Sequence, residues 1–121
     1  MVRSACLSAL LAVSLAVGGC ASASRDLAQR AAEEFEAAVA SGRPERVCEL
    51  LTERAREGVD CSSLELPRGE VREVVVWGDA ARVRTDDDTL FLRELSSGWR
   101  VSGAGCHAVH DRPYECEVGG P

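Results

Sequence analysis

Two cysteines and two histidines crowd one short stretch near the C-terminal end: Cys106, His107, His110 and Cys116. Thiolate and imidazole are the ligands that copper and zinc prefer. Adjacent side chains such as Cys106 and His107 are awkward co-ligands for one ion, however, and the usual Cys-x-x-Cys spacing is absent. The competing reading is a Cys106–Cys116 disulfide closing a loop that turns at Asp111-Arg112-Pro113. Four cysteines follow Cys20, an even number that suits disulfide pairing in a small domain. We therefore assign no metal ligands. His107 and His110 could also serve as acid/base groups, yet no nucleophile or orienting carboxylate stands at a recognisable spacing, so no catalytic residue is assigned. Asp86-Asp87-Asp88 offers oxygen ligands for calcium but lacks the glycine and distal glutamate of an EF-hand loop, and it reads as a hairpin turn. Phosphate-cradling glycine motifs and a Gly-x-Ser-x-Gly elbow are missing, and nothing calls for a cofactor.

One further cysteine has a different setting. Arg3 is followed by an apolar run from Ala5 to Val17, broken only by Ser8 and Ser14, and then by Gly18-Gly19-Cys20. A positive start, a short apolar segment and small residues before a cleavage point are the parts of a signal peptide. The run is shorter than the roughly 20 residues that a membrane span needs. Val17-Gly18-Gly19-Cys20 resembles the lipobox of bacterial lipoproteins. The resemblance implies removal of residues 1–19 and a diacylglyceryl thioether on Cys20, placing the domain on the extracytoplasmic face of the cell membrane. Two acyl chains suffice for stable anchoring. Cys6 would leave with the signal segment. Residues 20–24 would form the lipidated cysteine and a tether reaching about 14 Å when extended.

Residues 25–121 remain as a single exported domain, near the lower size at which a core sustains itself without staples. The whole chain carries a formal charge of −6, and losing Arg3 makes it more negative. That argues against nucleic acid as a partner and against attraction to an anionic membrane surface. The partners expected are the membrane, through the lipid on Cys20, and an envelope protein. All the Lys+Arg positions are arginine, which nothing physical requires.

Helical spacing of Leu27, Ala28, Ala31, Phe35, Ala38 and Val39 predicts an amphipathic helix over 25–41. Ser24 would be its N-cap, Gly42 its C-terminal cap, and Arg30, Glu33, Glu34 and Glu36 its exposed face. Pro44 opens a second helix over 44–57, with Val47, Cys48, Leu51 and Ala55 inward. The chain reverses after Gly58, which brings Cys61 toward Cys48 and predicts a Cys48–Cys61 disulfide. Four pairable cysteines allow three connectivities, and neighbours paired in order is the simplest. Four strands follow, at 70–77, 80–85, 89–95 and 99–102, separated by Gly78-Asp79, the aspartate turn and Ser96-Ser97-Gly98. Arg82 and Arg84 face away from Ala81, Val83 and Thr85. Trp77, Phe91 and Trp99 are expected in the core. Val118 to Pro121 reads as a frayed tail. The fold class is α+β, with two N-terminal helices packed on a four-stranded antiparallel meander.

That order, with Ala81-Arg82-Val83-Arg84, Leu90-Phe91-Leu92 and Gly98-Trp99-Arg100-Val101, resembles the nuclear-transport-factor-2-like (SnoaL-like) domains of small lipoproteins from high-GC Gram-positive bacteria. The resemblance covers about residues 25–106 and implies a truncated version of that curved cone. The fold hosts enzymes, binders and interaction modules alike. The expected function is a non-enzymatic, lipid-anchored binding or protein-interaction role at the cell envelope. The alternatives are a ligand-binding or catalytic cone lined by Phe35, Val76, Leu92 and Trp99, and a copper- or zinc-handling lipoprotein using Cys106, His107, His110 and Cys116.

Overall fold

The computed structural model describes residues 22–111 and 113–121. The expected signal segment, Cys6 and Cys20, the expected site of lipidation, lie outside the described residues, as does Arg112 in the expected turn.

Helix α1 runs over 22–40. Ser24 is already inside it, so it caps nothing, and 22–24 are not an extended tether. Alanine and serine at 22–24 contain no helix breaker, so the helical conformation is kept through them. Ala28, Ala32, Phe35 and Ala38 are buried. The buried stripe is centred on 28, 32 and 35, which corrects the sequence reading on both flanks. Leu27 stands 50% exposed, whereas Glu36 is 7% exposed, because it continues the i, i+4 row of Ala28 and Ala32.

The second helix is not continuous over 44–57. It divides into α2, Pro44–Glu49, and α3, Glu53–Arg56. Between them Leu51 makes a parallel bridge with Val101. The Thr52 N–H donates to the Val101 carbonyl at 2.8 Å, and the Val101 N–H donates to the Leu50 carbonyl at 2.9 Å. The helix stops because a strand needs those groups. Thr52 then restarts it as an N-cap, accepting from the Ala55 N–H at 3.2 Å.

The sheet has five strands rather than four, all antiparallel, in the order β1 to β5. They are β1 Val71–Trp77, β2 Ala80–Thr85, β3 Thr89–Leu95, β4 Gly98–Cys106 and β5 Val118–Gly119. The fourth strand extends past 102 because its far half has a partner in β5, through Gly103↔Gly119 and Ala104↔Val118. The expected frayed tail is therefore part of the fold, and Val118 is 1% exposed. Glycine permits this closure. Gly119 has φ of 60°, and a Cβ there would lie 1.9 Å from the Ser102 carbonyl oxygen. The register of β3 on β4 slips at Phe91/Leu92, where Gly103 and Val101 are the partners and Ser102 is the extra, bulged residue.

Val74, Ala81, Val83, Leu90, Leu92, Trp99 and Val101 share one core with the buried residues of α1, α2 and α3. Trp77 does not join it and is 53% exposed, since it continues the parity of Glu73 and Val75 on the other face of β1. Two cysteine pairs sit at disulfide distance. Cys48 of α2 meets Cys61 of a 3₁₀ turn, Cys61–Ser63, with Cα atoms 6.1 Å apart, and Cys106 at the end of β4 meets Cys116. The second pair lies close in sequence to Tyr114, which packs edge-on to Phe91 on the outer face with centroids 4.9 Å apart.

Reduction should destabilise this fold. A loop the size of the one between Cys48 and Cys61 contributes about 3 kcal/mol in the chain-entropy model. Thermal unfolding with and without strong reductant checks it, and the expected result is a Tm several degrees lower when reduced.

Candidate functional site

The residues singled out for metal chemistry do not converge. Cys106 and Cys116 face each other as a disulfide pair. His107 is exposed and forms an isolated bridge with Glu115, each N–H donating to the other's carbonyl at 2.9 Å. His110 is also exposed. Among the described residues no group of three or more His, Cys, Asp or Glu side chains is placed to hold an ion. The three aspartates of the turn diverge too. Asp86 pairs with Arg72, whose guanidinium holds the Asp86 carboxyl below the ordinary range. Asp88 turns inward, accepting from Thr85 Oγ1 at 2.6 Å and from the Gly105 N–H at 2.9 Å.

The proposed cavity lining is core instead. Phe35, Leu92 and Trp99 are buried, and Val76 packs against the same cluster. Trp99 Nε1 has no hydrogen-bond partner among the described residues.

Sequence reasoning missed Glu36, and its spacing from Ala28 and Ala32 was the available signal. Its carboxylate accepts from the Gly69 N–H at 3.3 Å. Burial, reinforced by the nearby Asp88 and, less, Asp87, outweighs that hydrogen bond and raises its pKa to about 7. Glu36 also lines a cavity of about 500 Å³ with Glu33, Gly69 and Val71. A carboxyl so placed can exchange a proton near neutrality, but no nucleophile stands among the lining residues.

The outer face of the sheet is the other candidate. Pairing sets Val75 beside Arg82, Trp77 beside Ala80, Ala80 beside Arg93, and Arg93 beside Arg100. Arg84 lies next along, opposite Glu73. Four arginines thus share a face with Val75 and the exposed Trp77. Their counter-ions are sparse and loosely held. Glu73 lies 3.9 Å from Arg82 and 4.0 Å from Arg84, and Asp79 lies 3.6 Å from Arg93. Exposed pairs at these distances contribute little. The acidic chain has therefore separated its charge, with a cationic, partly aromatic sheet face and glutamates on the exposed side of α1.

Compared with known protein families, with characterised proteins and with solved structures, the chain matches none.

The Glu36 environment generates a pH prediction. Its folded-state pKa lies above the ordinary carboxylate value of 4.5. Between about 4.5 and 7 the folded state keeps a proton that the unfolded chain releases, so this group makes stability fall as pH rises through that window. Glu36→Gln cannot ionise and keeps an acceptor for Gly69. Denaturant unfolding at several pH values should show the variant roughly 1–3 kcal/mol more stable than the natural chain at pH 8, with the difference vanishing near pH 4.

Proposed function

We propose that the chain is a lipid-anchored lipoprotein on the extracytoplasmic face of the cell membrane, and that it acts as a non-enzymatic binding module for an acidic segment of an envelope protein. The anchor reading rests on Arg3, the apolar run and Val17-Gly18-Gly19-Cys20, with cleavage before Cys20 and acylation of its sulfur. The two cysteine pairs support an oxidising compartment. The observation that carries the binding reading is the outer sheet face, where Arg82, Arg84, Arg93 and Arg100 surround Trp77 and Val75. Arginine and tryptophan are the residues that most often dominate protein interfaces, and the charge of this face is complementary to carboxylates.

A truncated cone of the nuclear-transport-factor-2-like kind fits the order of a helical segment followed by an antiparallel meander. A deep ligand cavity in that cone has little room, since Phe35, Leu92 and Trp99 fill the space between helix and sheet. A second reading, proton transfer at Glu36, is favoured by its near-neutral pKa and its opening to a cavity. It would require a substrate that reaches between α1 and the start of β1.

Two measurements test the leading reading. Intact mass of membrane-extracted protein should correspond to a chain starting at Cys20 with an added diacylglyceryl group, and Cys20→Ser should abolish both changes. A mature chain beginning elsewhere overturns the anchor. For the face, a glutamate-rich peptide titrated onto the full lipidated protein should alter Trp77 fluorescence saturably. The double variant Arg82→Gln/Arg84→Gln should weaken that binding about tenfold, as loss of two charge-assisted contacts implies. Binding to anionic vesicles without any response to the peptide would overturn the acidic-partner reading.

A further inference from the structure

A second concavity lies where β4, β5 and α3 meet. It encloses about 760 Å³ and is lined by Thr52, Arg54, Arg93, Leu95, Ser102 and Gly119, among others. No aspartate or glutamate side chain lines it, although the chain contains 20 such residues, and the one acidic group among its lining residues is the carboxylate that ends Pro121. Two arginines line it from different elements, Arg54 of α3 and Arg93 of β3. Arg54 makes no ion pair among the described residues, and Arg93 has only the 3.6 Å contact with Asp79.

Ser102 adds a feature that the fold does not use. It is the bulged residue of β4, so its side chain is displaced from the ladder's ordinary alternation. Its Oγ is buried and has no hydrogen-bond partner among the described residues. A buried hydroxyl left unsatisfied is costly and uncommon. Thr52 contributes a second hydroxyl. Its oxygen accepts from the Ala55 N–H, which leaves its proton free to donate. Leu95, 44% exposed, gives the pocket one apolar wall.

We propose that this pocket binds the anionic head of a small amphiphilic ligand, a phosphate or carboxylate, with Arg54 and Arg93 as counter-charges, the Ser102 and Thr52 hydroxyls as donors, and Leu95 beside the ligand's apolar part. Guanidinium groups suit the two-oxygen geometry of both anions. The site stands independently of the acidic-partner reading, although Arg93 belongs to both surfaces.

The test uses full-length lipidated protein in neutral detergent, titrated with inorganic phosphate and with butyl phosphate at constant ionic strength, and followed by the amide resonances of Ser102 and Gly119. Saturable shifts are expected, with butyl phosphate binding tighter than phosphate. Arg54→Gln should weaken both about tenfold. Ser102→Ala should weaken them severalfold, and Arg84→Gln should leave them unchanged. Arg54 and Arg84 are exposed, so both variants should keep the Tm of the natural chain. Shifts that never saturate, or that persist unchanged in Arg54→Gln, overturn the site. Reconstitution separates the two sources of such an anion. In phosphatidylglycerol vesicles a lipid headgroup would occupy the pocket and abolish butyl phosphate binding, whereas in phosphatidylcholine vesicles binding would persist. Persistence in both supports a free ligand. Because Arg84→Gln disturbs the outer face alone and Arg54→Gln the pocket alone, failure of one surface is distinguishable from failure of the other.

Discussion

Val101 sits in the middle of β4 with one edge turned away from β3. Its amide and carbonyl on that side lie in a buried setting, where an unpaired backbone group costs about as much as a lost hydrogen bond. Leu50 and Thr52 supply the partners. Many other features follow from this requirement. The helix that starts at Pro44 must stop after Glu49, Leu51 must be carried into the core, and Thr52 must restart a helix with its hydroxyl as cap. The remaining edge of β4, at Gly103 and Ala104, is then free only for a short strand, and β5 fills it. Gly119 is the one residue type that lets the chain approach the Ser102 carbonyl so closely. The two cysteine pairs brace the same assembly from outside. One ties α2 to the turn that follows α3, and the other fastens the end of β4 to the segment leading into β5.

Electrostatics organises the surface as clearly as β4 organises the interior. Helix α1 exposes Glu33 and Glu34, and Arg46 of α2 pairs with Glu34 and with Glu49. The sheet's outer face holds the arginines. An edge strand such as β1 invites pairing with a foreign strand, and here Arg72 and Glu73 place charge along it. Net charge alone argued against any affinity for anionic surfaces, but net charge is a sum, and this sum conceals a cationic face. The interaction properties of the domain depend on which face is presented, and helix α1 begins so soon after Cys20 that lipidation there would constrain that presentation.

The strands were legible because β-branched density, turn residues and alternation agree along 71–95. The arginines of β2 followed from the same alternation. What could not be read was anything decided by a distant partner. The break at Leu50-Leu51-Thr52 looks helical in every local respect, and only Val101, far along the chain, overrides it. Val118 and Gly119 look like a frayed tail until β4 offers an edge. Trp77 was assigned to the core by residue type, whereas strand parity places it outside with Val75. Glu36 was assigned to the surface by charge, whereas helical parity places it inside with Ala32. In the last two cases periodicity was the better guide than chemistry, and the candidate groups at Glu36 and Trp77 arise where the two conflict.

Those conflicts also bear on where function can reside. The core between helix and sheet is filled by Phe35, Leu51, Leu90, Leu92 and Val101, all at most 2% exposed. A domain of this size has little apolar volume to spare, and opening a cavity there would cost stability that the cysteine pairs only partly restore. Ligand chemistry is thereby displaced to the margins: the start of β1 beside α1, and the seam of β4, β5 and α3. Both margins sit against irregular backbone, one at the Pro67-Arg68-Gly69 approach and one at the Ser102 bulge. Irregular backbone at a sheet edge is where a side chain can be re-aimed without disturbing the ladder. A domain with a packed centre and re-aimed polar groups at its seams has room for a ligand at its surface rather than in its interior.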